Sequence, residues 1–303
     1  KCTVNKNITL YAVQKKAVQL TFHRCDGSTW QKTTLAKGSS YSLPGVRDAE
    51  GYTFMGWSTK PMQSVSPQYE AEEKITVNGN VDLYAVVFNR TTETDLTEDQ
   101  LPQVDIYKYK QVIFVGDSRT EFMENVLTGM GESATKNVKF VCSAGKGLDW
   151  FTTTGWAQLY SIVQHDSNSI LSKKTAVIFN FGVNDLSKSA DYAEYYNWIA
   201  PQLKSKGCEL YFMSVNPVNR LMLPNAGRAD RSEAAVRSFN QYMKANLSSA
   251  YTYIDMYSYL KSTGYSFASD HYGTGTVDDG LHYTTRTYKR IFAKCMDSLR
   301  VPA

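Results

Sequence analysis

Three short segments carry the residue types that acyl transfer needs, in one order along the chain: Gly116-Asp117-Ser118, Gly182-Val183-Asn184-Asp185 and Asp279-Gly280-Leu281-His282. A serine hydroxyl becomes a nucleophile when a base takes its proton, and the base needs a third group to fix its tautomer and stabilise the imidazolium. The developing oxyanion needs preorganised donors. Ser118 offers the hydroxyl, and Asn184 offers a side-chain amide. His282 has Asp279 three positions before it. In a loop or a first helical turn, that spacing lets the carboxylate reach Nδ1 and leaves Nε2 for Ser118. Each segment alone has a plainer reading: Asp117 and Ser118 would cap a helix, and Asn-Asp is a common turn pair. Their combination points to a serine esterase.

Other residues compete for these roles. His271, preceded by Asp270, is the rival base, but adjacent side chains point apart more often than i and i+3 side chains do. His23 lies in the N-terminal region and His165 in a polar helix end. Asp278 is the alternative orienting acid. A further oxyanion donor is expected from a glycine N–H in Ser143-Ala144-Gly145-Lys146-Gly147, with Gly147 preferred and Gly145 next; Asp185 is expected to be structural, capping the next segment. Arg119 has two readings, binding an anionic substrate group such as a uronate or lactyl carboxylate, or forming a helix-surface ion pair with Glu121 or a neighbouring acid. Trp150, Phe151 and Trp156 could stack on a sugar, although core or rim packing is the stronger expectation. Asn216, in Asn216-Pro217-Val218-Asn219, and the loop running to residue 228 are expected to shape the acyl or alcohol pocket.

The elements that must position these residues are short apolar runs alternating with helical patterns. Strands are predicted at 111–116, 138–142, 175–181, 208–214 and 251–255, and helices at about 119–129, 149–166, 190–206, 228–249 and 285–299. Such alternation implies an α/β fold with a parallel sheet covered on both faces. Ligands on such sheets bind beyond the carboxyl ends of the strands. Ser118 and Asn184 both fall there.

The N-terminal third reads differently. Thr3-Val4-Asn5-Lys6-Asn7-Ile8-Thr9-Leu10-Tyr11-Ala12-Val13 recurs 73 residues later as Thr76-Val77-Asn78-Gly79-Asn80-Val81-Asp82-Leu83-Tyr84-Ala85-Val86, identical at eight of eleven positions. A fixed-offset repeat of this kind marks a tandem array. Residues 1–14 are therefore expected to be the tail of a preceding repeat, 15–88 one complete β-rich repeat, 89–108 a polar linker or surface strap, and 109–303 the catalytic domain. The chain is expected to be cut from a longer protein. Within the repeat, Ala17-Val18-Gln19-Leu20-Thr21-Phe22 alternates like a strand and Asp26-Gly27 is a hairpin turn signal. Trp57 and Phe54 are read as core rather than as a ligand platform, because so small a sheet needs large aromatics to bury enough area.

Composition narrows the function classes. A net charge of +4 over 303 residues, without a Lys/Arg block, gives no case for nucleic acid. No apolar stretch of about 18 residues predicts a membrane span, and the N-terminus lacks a signal-peptide pattern. Five scattered cysteines make no disulfide framework and no metal spacing, so no metal or organic cofactor is expected; a Cys2–Cys25 pairing stays open. The 21 tyrosines, with many Asn, Ser and Thr, suit an extracellular protein.

Two resemblances follow from these motifs. Gly51-Tyr52-Thr53-Phe54-Met55-Gly56-Trp57 and Leu83-Tyr84-Ala85-Val86 resemble the Listeria–Bacteroides type of surface repeat, a small β-grasp-like module of bacterial surface proteins. Gly-Asp-Ser, a glycine after the second strand, Gly-x-Asn-Asp and Asp-x-x-His resemble the SGNH (GDSL-type) hydrolases over roughly residues 109–300. That resemblance implies a flavodoxin-like three-layer α/β/α domain, a Ser118/His282/Asp279 triad, and oxyanion donors from Ser118, Gly147 and Asn184. Arg119 departs from the leucine or isoleucine that commonly follows the serine, and the second-strand loop lacks the usual Asn before its glycine. No Gly-x-Ser-x-Gly occurs, which disfavours the unrelated α/β-hydrolase elbow. The expectation is an extracellular or surface-attached bacterial esterase acting on O-acylated, foremost O-acetylated, carbohydrate, with possible cell-wall association through the parent protein. An O-acyltransferase with the same triad and a catalytically silent adhesion module are the rivals.

Overall fold

The computed structural model describes residues 15–164, 173–223, 231–268 and 279–299. Residues 1–14, with Cys2, lie outside them, as do His165, His271 and the acids Asp270 and Asp278.

The N-terminal strands are β1 (Ala17–His23), β2 (Thr29–Ala36), β3 (Ser39–Ser42), β4 (Tyr52–Ser58), β5 (Lys74–Val77) and β6 (Val81–Asn89). The Asp26-Gly27 signal does form the β1–β2 turn, where the Asp26 carboxylate accepts from the Ser28 N–H at 2.8 Å. Four strands make a sheet in the order β2-β1-β6-β4, in which only the β1–β6 pair is parallel, and β3 pairs separately with β5. One face carries a small core of Leu20, Phe22, Phe54, Trp57 and Leu83. Trp57 is fully buried and donates its indole N–H to the Pro44 carbonyl at 2.8 Å. It is a core residue, not a platform.

From residue 109 the chain builds a second sheet: β7 (Tyr109–Gly116), β8 (Val138–Cys142), β9 (Lys174–Asn180), β10 (Cys208–Met213) and β11 (Tyr251–Ile254). All its pairings are parallel, in the order β11-β10-β9-β7-β8. This is the doubly wound flavodoxin-like order, whose switch point lies between β7 and β9. Because successive strand residues face opposite sides, Ile113 and Val115 enter one core while Val112 and Phe114 enter the other. Helices α4 (Trp156–Gln164), α5 (Ser189–Ser205) and α6 (Glu233–Asn246) close the first core. Helices α1 (Ser118–Met130), α2 (Glu132–Thr135), α7 (Met256–Thr263) and α8 (Thr285–Ser298) close the second. The result is three layers. Among the described residues no helix is long and apolar enough to cross a membrane.

The predicted helix at 149–166 is interrupted. A short α3 (Leu148–Trp150) runs into a π-helical turn over Phe151–Gly155 before α4 begins. Thr152 and Thr153 turn their hydroxyls onto the Asp149 carbonyl at 3.0 and 2.7 Å. Such back-bonding from threonine competes with a regular ladder. Likewise α6 starts at Glu233, capped by Ser232, which accepts from the Ala235 N–H at 3.0 Å.

The N-terminal sheet is fused to the second core. Met55, Val86 and Phe88 pack there beside Leu260 and Tyr265, and Leu101 and Val104 of the connecting segment join them. That segment is pinned as well: the buried Glu93 carboxylate accepts from Arg290 at 2.9 Å and from the Ser266 and Thr287 hydroxyls. A buried cation sits at the seam. Lys261 Nζ lies 2.8 Å from Glu70, 3.1 Å from Glu233 and 2.7 Å from the Met55 carbonyl. The two carboxylates hold its pKa above the usual lysine range despite burial. Removing one partner of a buried ion pair strands the others. Lys261→Met is therefore expected to lower unfolding free energy by roughly 3–5 kcal/mol, measured by urea denaturation; a loss below about 1 kcal/mol would mean that the cluster behaves as a surface pair.

Candidate active site

Ser118 opens α1 directly after β7, and Asp117 caps the helix by accepting from the Arg119 N–H at 3.0 Å. Ser118 is buried except for 6% of its surface, and its Oγ lies 2.9 Å from His282 Nε2. On the other side of the ring, Nδ1 lies 2.7 Å from Asp279 Oδ2. The remaining Asp279 oxygen accepts from the Leu281 and His282 N–H groups at 2.8 and 2.7 Å. The carboxylate is thus held on three sides, and the tautomer with the proton on Nδ1 satisfies every group. Phe122, one turn into α1, meets the imidazole edge-on with centroids 4.7 Å apart. A groove of about 430 Å³, lined by Phe122, Val126, Met130, His282, Tyr283 and Tyr288 among others, opens beside the ring.

The facing wall comes from the loops after β8 and β9. Asn184 donates from Nδ2 to the Lys146 carbonyl at 2.7 Å, and Asp185 accepts from the Leu148 N–H at 2.9 Å and the Tyr192 hydroxyl at 2.7 Å. Gly147 lies between these two staples. A Cβ there would stand 2.4 Å from the Asp185 carboxylate, so the loops approach this closely only with glycine. Gly145 has open space around it instead. Of the two glycines, Gly147 is the one brought against the Gly182–Asp185 turn. Asp185 is structural, as expected, but it caps the facing loop rather than its own next segment.

The helix-surface reading of Arg119 requires a correction: the side chain does not pair with Glu121 but is committed to main-chain carbonyls. Its side chain is buried, and Nε, Nη1 and Nη2 donate to the carbonyls of Leu281, Asn216 and Pro217, each at 3.0 Å. The guanidinium also lies 5.3 Å from the Tyr283 ring centroid, and the Tyr283 hydroxyl reaches the same Pro217 carbonyl. A planar fork with several fixed donors suits this bridging task, and lysine would not. Glu121 instead accepts from the Ala144 N–H at 2.6 Å. Asn216 is buried, with its main chain in this clamp and its Oδ1 unpaired among the described residues. Trp150 packs on Phe181 at 6.0 Å, Phe151 is core, and Trp156 packs on Tyr160 at 5.3 Å.

This geometry agrees with sequence comparison. Residues 112–295 match the GDSL-like lipase/acylhydrolase family and residues 19–86 match the Listeria-Bacteroides repeat domain. The chain belongs to the GDSL-like acylhydrolases. It is an ester hydrolase with a repeat domain before it. No curated protein matches the acylhydrolase. Among solved structures it is similar to the acetyl xylan esterase AlAXEase (12% identity, 63% of this chain and 100% of that one, TM-score 0.42). It is also similar to an acetylxylan esterase of Geobacillus stearothermophilus carrying a catalytic mutation (11%, 64% and 96%, TM-score 0.40). A third is the catalytic domain of the peptidoglycan O-acetyltransferase of Streptococcus pneumoniae (16%, 63% and 92%, TM-score 0.36). At these identities none of them says which ester the acylhydrolase takes.

Several residues of the site were not legible in the sequence. Arg231 is buried, donates through Nη2 to Asn184 Oδ1, and leaves Nε without a partner among the described residues. No local pattern marks it. Tyr283 follows His282 directly, a signal that adjacency alone could have raised.

Burial also perturbs the cap. Asp117 is almost wholly removed from water, which pushes its pKa from 3.8 up to about 7, offset only in part by Arg119. An acid raised in the folded state binds its proton there while the unfolded chain has lost it. Stability therefore falls as pH rises between about 4 and 7 and stays reduced above. Asp117→Asn keeps the capping acceptor and removes this dependence. It is expected to stabilise the acylhydrolase at pH 8 by a few kcal/mol, on the order of 4 for such a shift, with the gain vanishing near pH 4. Thermal melts across that range test it, and an equal effect at both ends would place the cause elsewhere.

Proposed function

We propose that the acylhydrolase is a serine esterase that removes O-acyl groups, foremost O-acetyl groups, from carbohydrate at or outside the bacterial cell surface. The single observation that carries the chemistry is the continuous relay from Asp279 through His282 to Ser118, at 2.7 and 2.9 Å.

In this reading Ser118 Oγ attacks the ester carbonyl carbon while His282 Nε2 takes its proton. Asp279 stays ionised and stabilises the imidazolium. The oxyanion is received by the Ser118 N–H at the helix N-terminus, the Gly147 N–H and the Asn184 amide. His282 then returns the proton to the departing sugar oxygen, leaving an acyl group on Ser118. A water deprotonated by the same imidazole releases the acid. The repeat domain supports the location, and the location supports glycan as substrate; both steps rest on analogy.

Ser118→Ala and His282→Ala are each expected to reduce hydrolysis of a chromogenic acetate ester roughly ten-thousand-fold or more, and a fluorophosphonate should label wild-type protein at Ser118. Unchanged hydrolysis in Ser118→Ala sinks the nucleophile assignment. An unlabelled folded wild type would favour a silent adhesion module. If an acceptor glycan diverts acetate from release into acetylated product, the same site is a transferase.

A further inference from the structure

The repeat domain is joined to the catalytic turn by a short chain of hydrogen bonds. Gly280 lies between Asp279 and His282, with φ of +66°. Its carbonyl accepts from the Asn219 N–H at 2.8 Å, and a Cβ on it would stand 2.4 Å from the Asn219 carbonyl. The turn that holds acid and base thus rests flat on the backbone of Asn219. The Asn219 side chain points the other way, into the repeat domain, where Nδ2 donates to the Val46 carbonyl at 3.0 Å and to Asp48 at 2.9 Å. Asp48 does not float. Its carboxylate is fully buried, pairs with Arg90 at 2.7 Å, and accepts from the Phe54 N–H at 3.0 Å. Arg90 is tied in turn to Thr53 at 2.9 Å. Asn219 therefore has its backbone on the triad turn and its amide on a buried anchor inside the N-terminal sheet.

We infer that the repeat domain is a working part of the esterase, with Asn219 as a positioning residue through which Asp48 and Arg90 fix the Asp279–His282 turn. The inference rests on the reading of Ser118 and His282 as nucleophile and base. Arg119 holds the same turn from the α1 side through the Leu281 carbonyl, and Ala268 pairs with its main chain, donating to the His282 carbonyl at 2.8 Å and accepting from the Asp279 N–H at 3.2 Å. With Asn219 cut loose from the repeat domain its backbone still meets Gly280 but is no longer anchored, and the imidazole drifts from Ser118. Small misplacements of a catalytic group are felt strongly in rate and weakly in substrate binding. An appended module that served only as a spacer would need no bond reaching the triad.

The test uses the full chain with Asn219→Ala, Asp48→Ala and the double variant. Arg220→Ala is the control, because it removes only an exposed pair with Glu72 across the same seam. Asn219→Ala is expected to lower kcat on a chromogenic acetate ester, and the rate of fluorophosphonate labelling, by about ten-fold, with KM within about two-fold. Asp48→Ala should behave alike, and the double variant no worse than either single, since both cut one link. Arg220→Ala should keep the wild-type rate. Should Asp48→Ala not fold, Asn219→Ala alone decides, because its side chain is at the seam rather than in a core. A wild-type labelling rate in folded Asn219→Ala overturns the inference, as does an equal loss in Arg220→Ala. A wild type that is never labelled sinks the nucleophile reading first and this inference with it.

Discussion

The buried guanidinium of Arg119 is the constraint on which the site depends. Its three nitrogens satisfy three carbonyls from two separate loops, at the first turn of the helix that carries Ser118. Ser118 and His282 approach from opposite ends of the domain sequence, 164 residues apart. Neither backbone is paired with the other in a sheet. Arg119 supplies the missing common reference, because it donates to buried carbonyls of both loops, and buried acceptors left without a donor are costly. A cation can be buried there because carbonyl dipoles and the Tyr283 face surround it.

The opposite wall is built on the same economy of backbone groups. Asn184 and Asp185 end the β9 turn, and each side chain bonds a main-chain group of the loop after β8. Two loops that leave the strands on either side of β7 are thereby locked with Gly147 between them. The flavodoxin-like strand order places this pair of loops and the start of α1 around the switch point. The sheet sets the distance scale, and the side-chain staples set the last ångström.

Outside the sheet, the N-terminal strands do more than flank the enzyme. Met55, Val86 and Phe88 contribute to the core that also contains α7 and α8, and Lys261 is neutralised by one carboxylate from each side of the seam. Interfaces between independent domains are ordinarily more polar and allow relative motion. A shared apolar core with a buried ion cluster resists it.

Much of this was legible in the sequence, because it depends on local pattern. Alternating apolar runs gave the five parallel strands within one or two residues, and Asp279 stands three residues before His282, a spacing that a tight turn alone can exploit. Gly-Asp-Ser at a strand end placed Ser118 at a helix start for the same reason. What needed the tertiary structure was every residue whose partner is distant along the chain. Arg119 reads in sequence as a surface or ligand-binding cation, and only its burial against residues 216, 217 and 281 makes it a clamp. Asn219 reads as a loop asparagine until Asp48, 171 positions away, is brought to its amide. Periodicity and spacing record which backbone forms and which face it buries. The direction of a long polar side chain is decided by which unpaired groups the fold delivers to its reach.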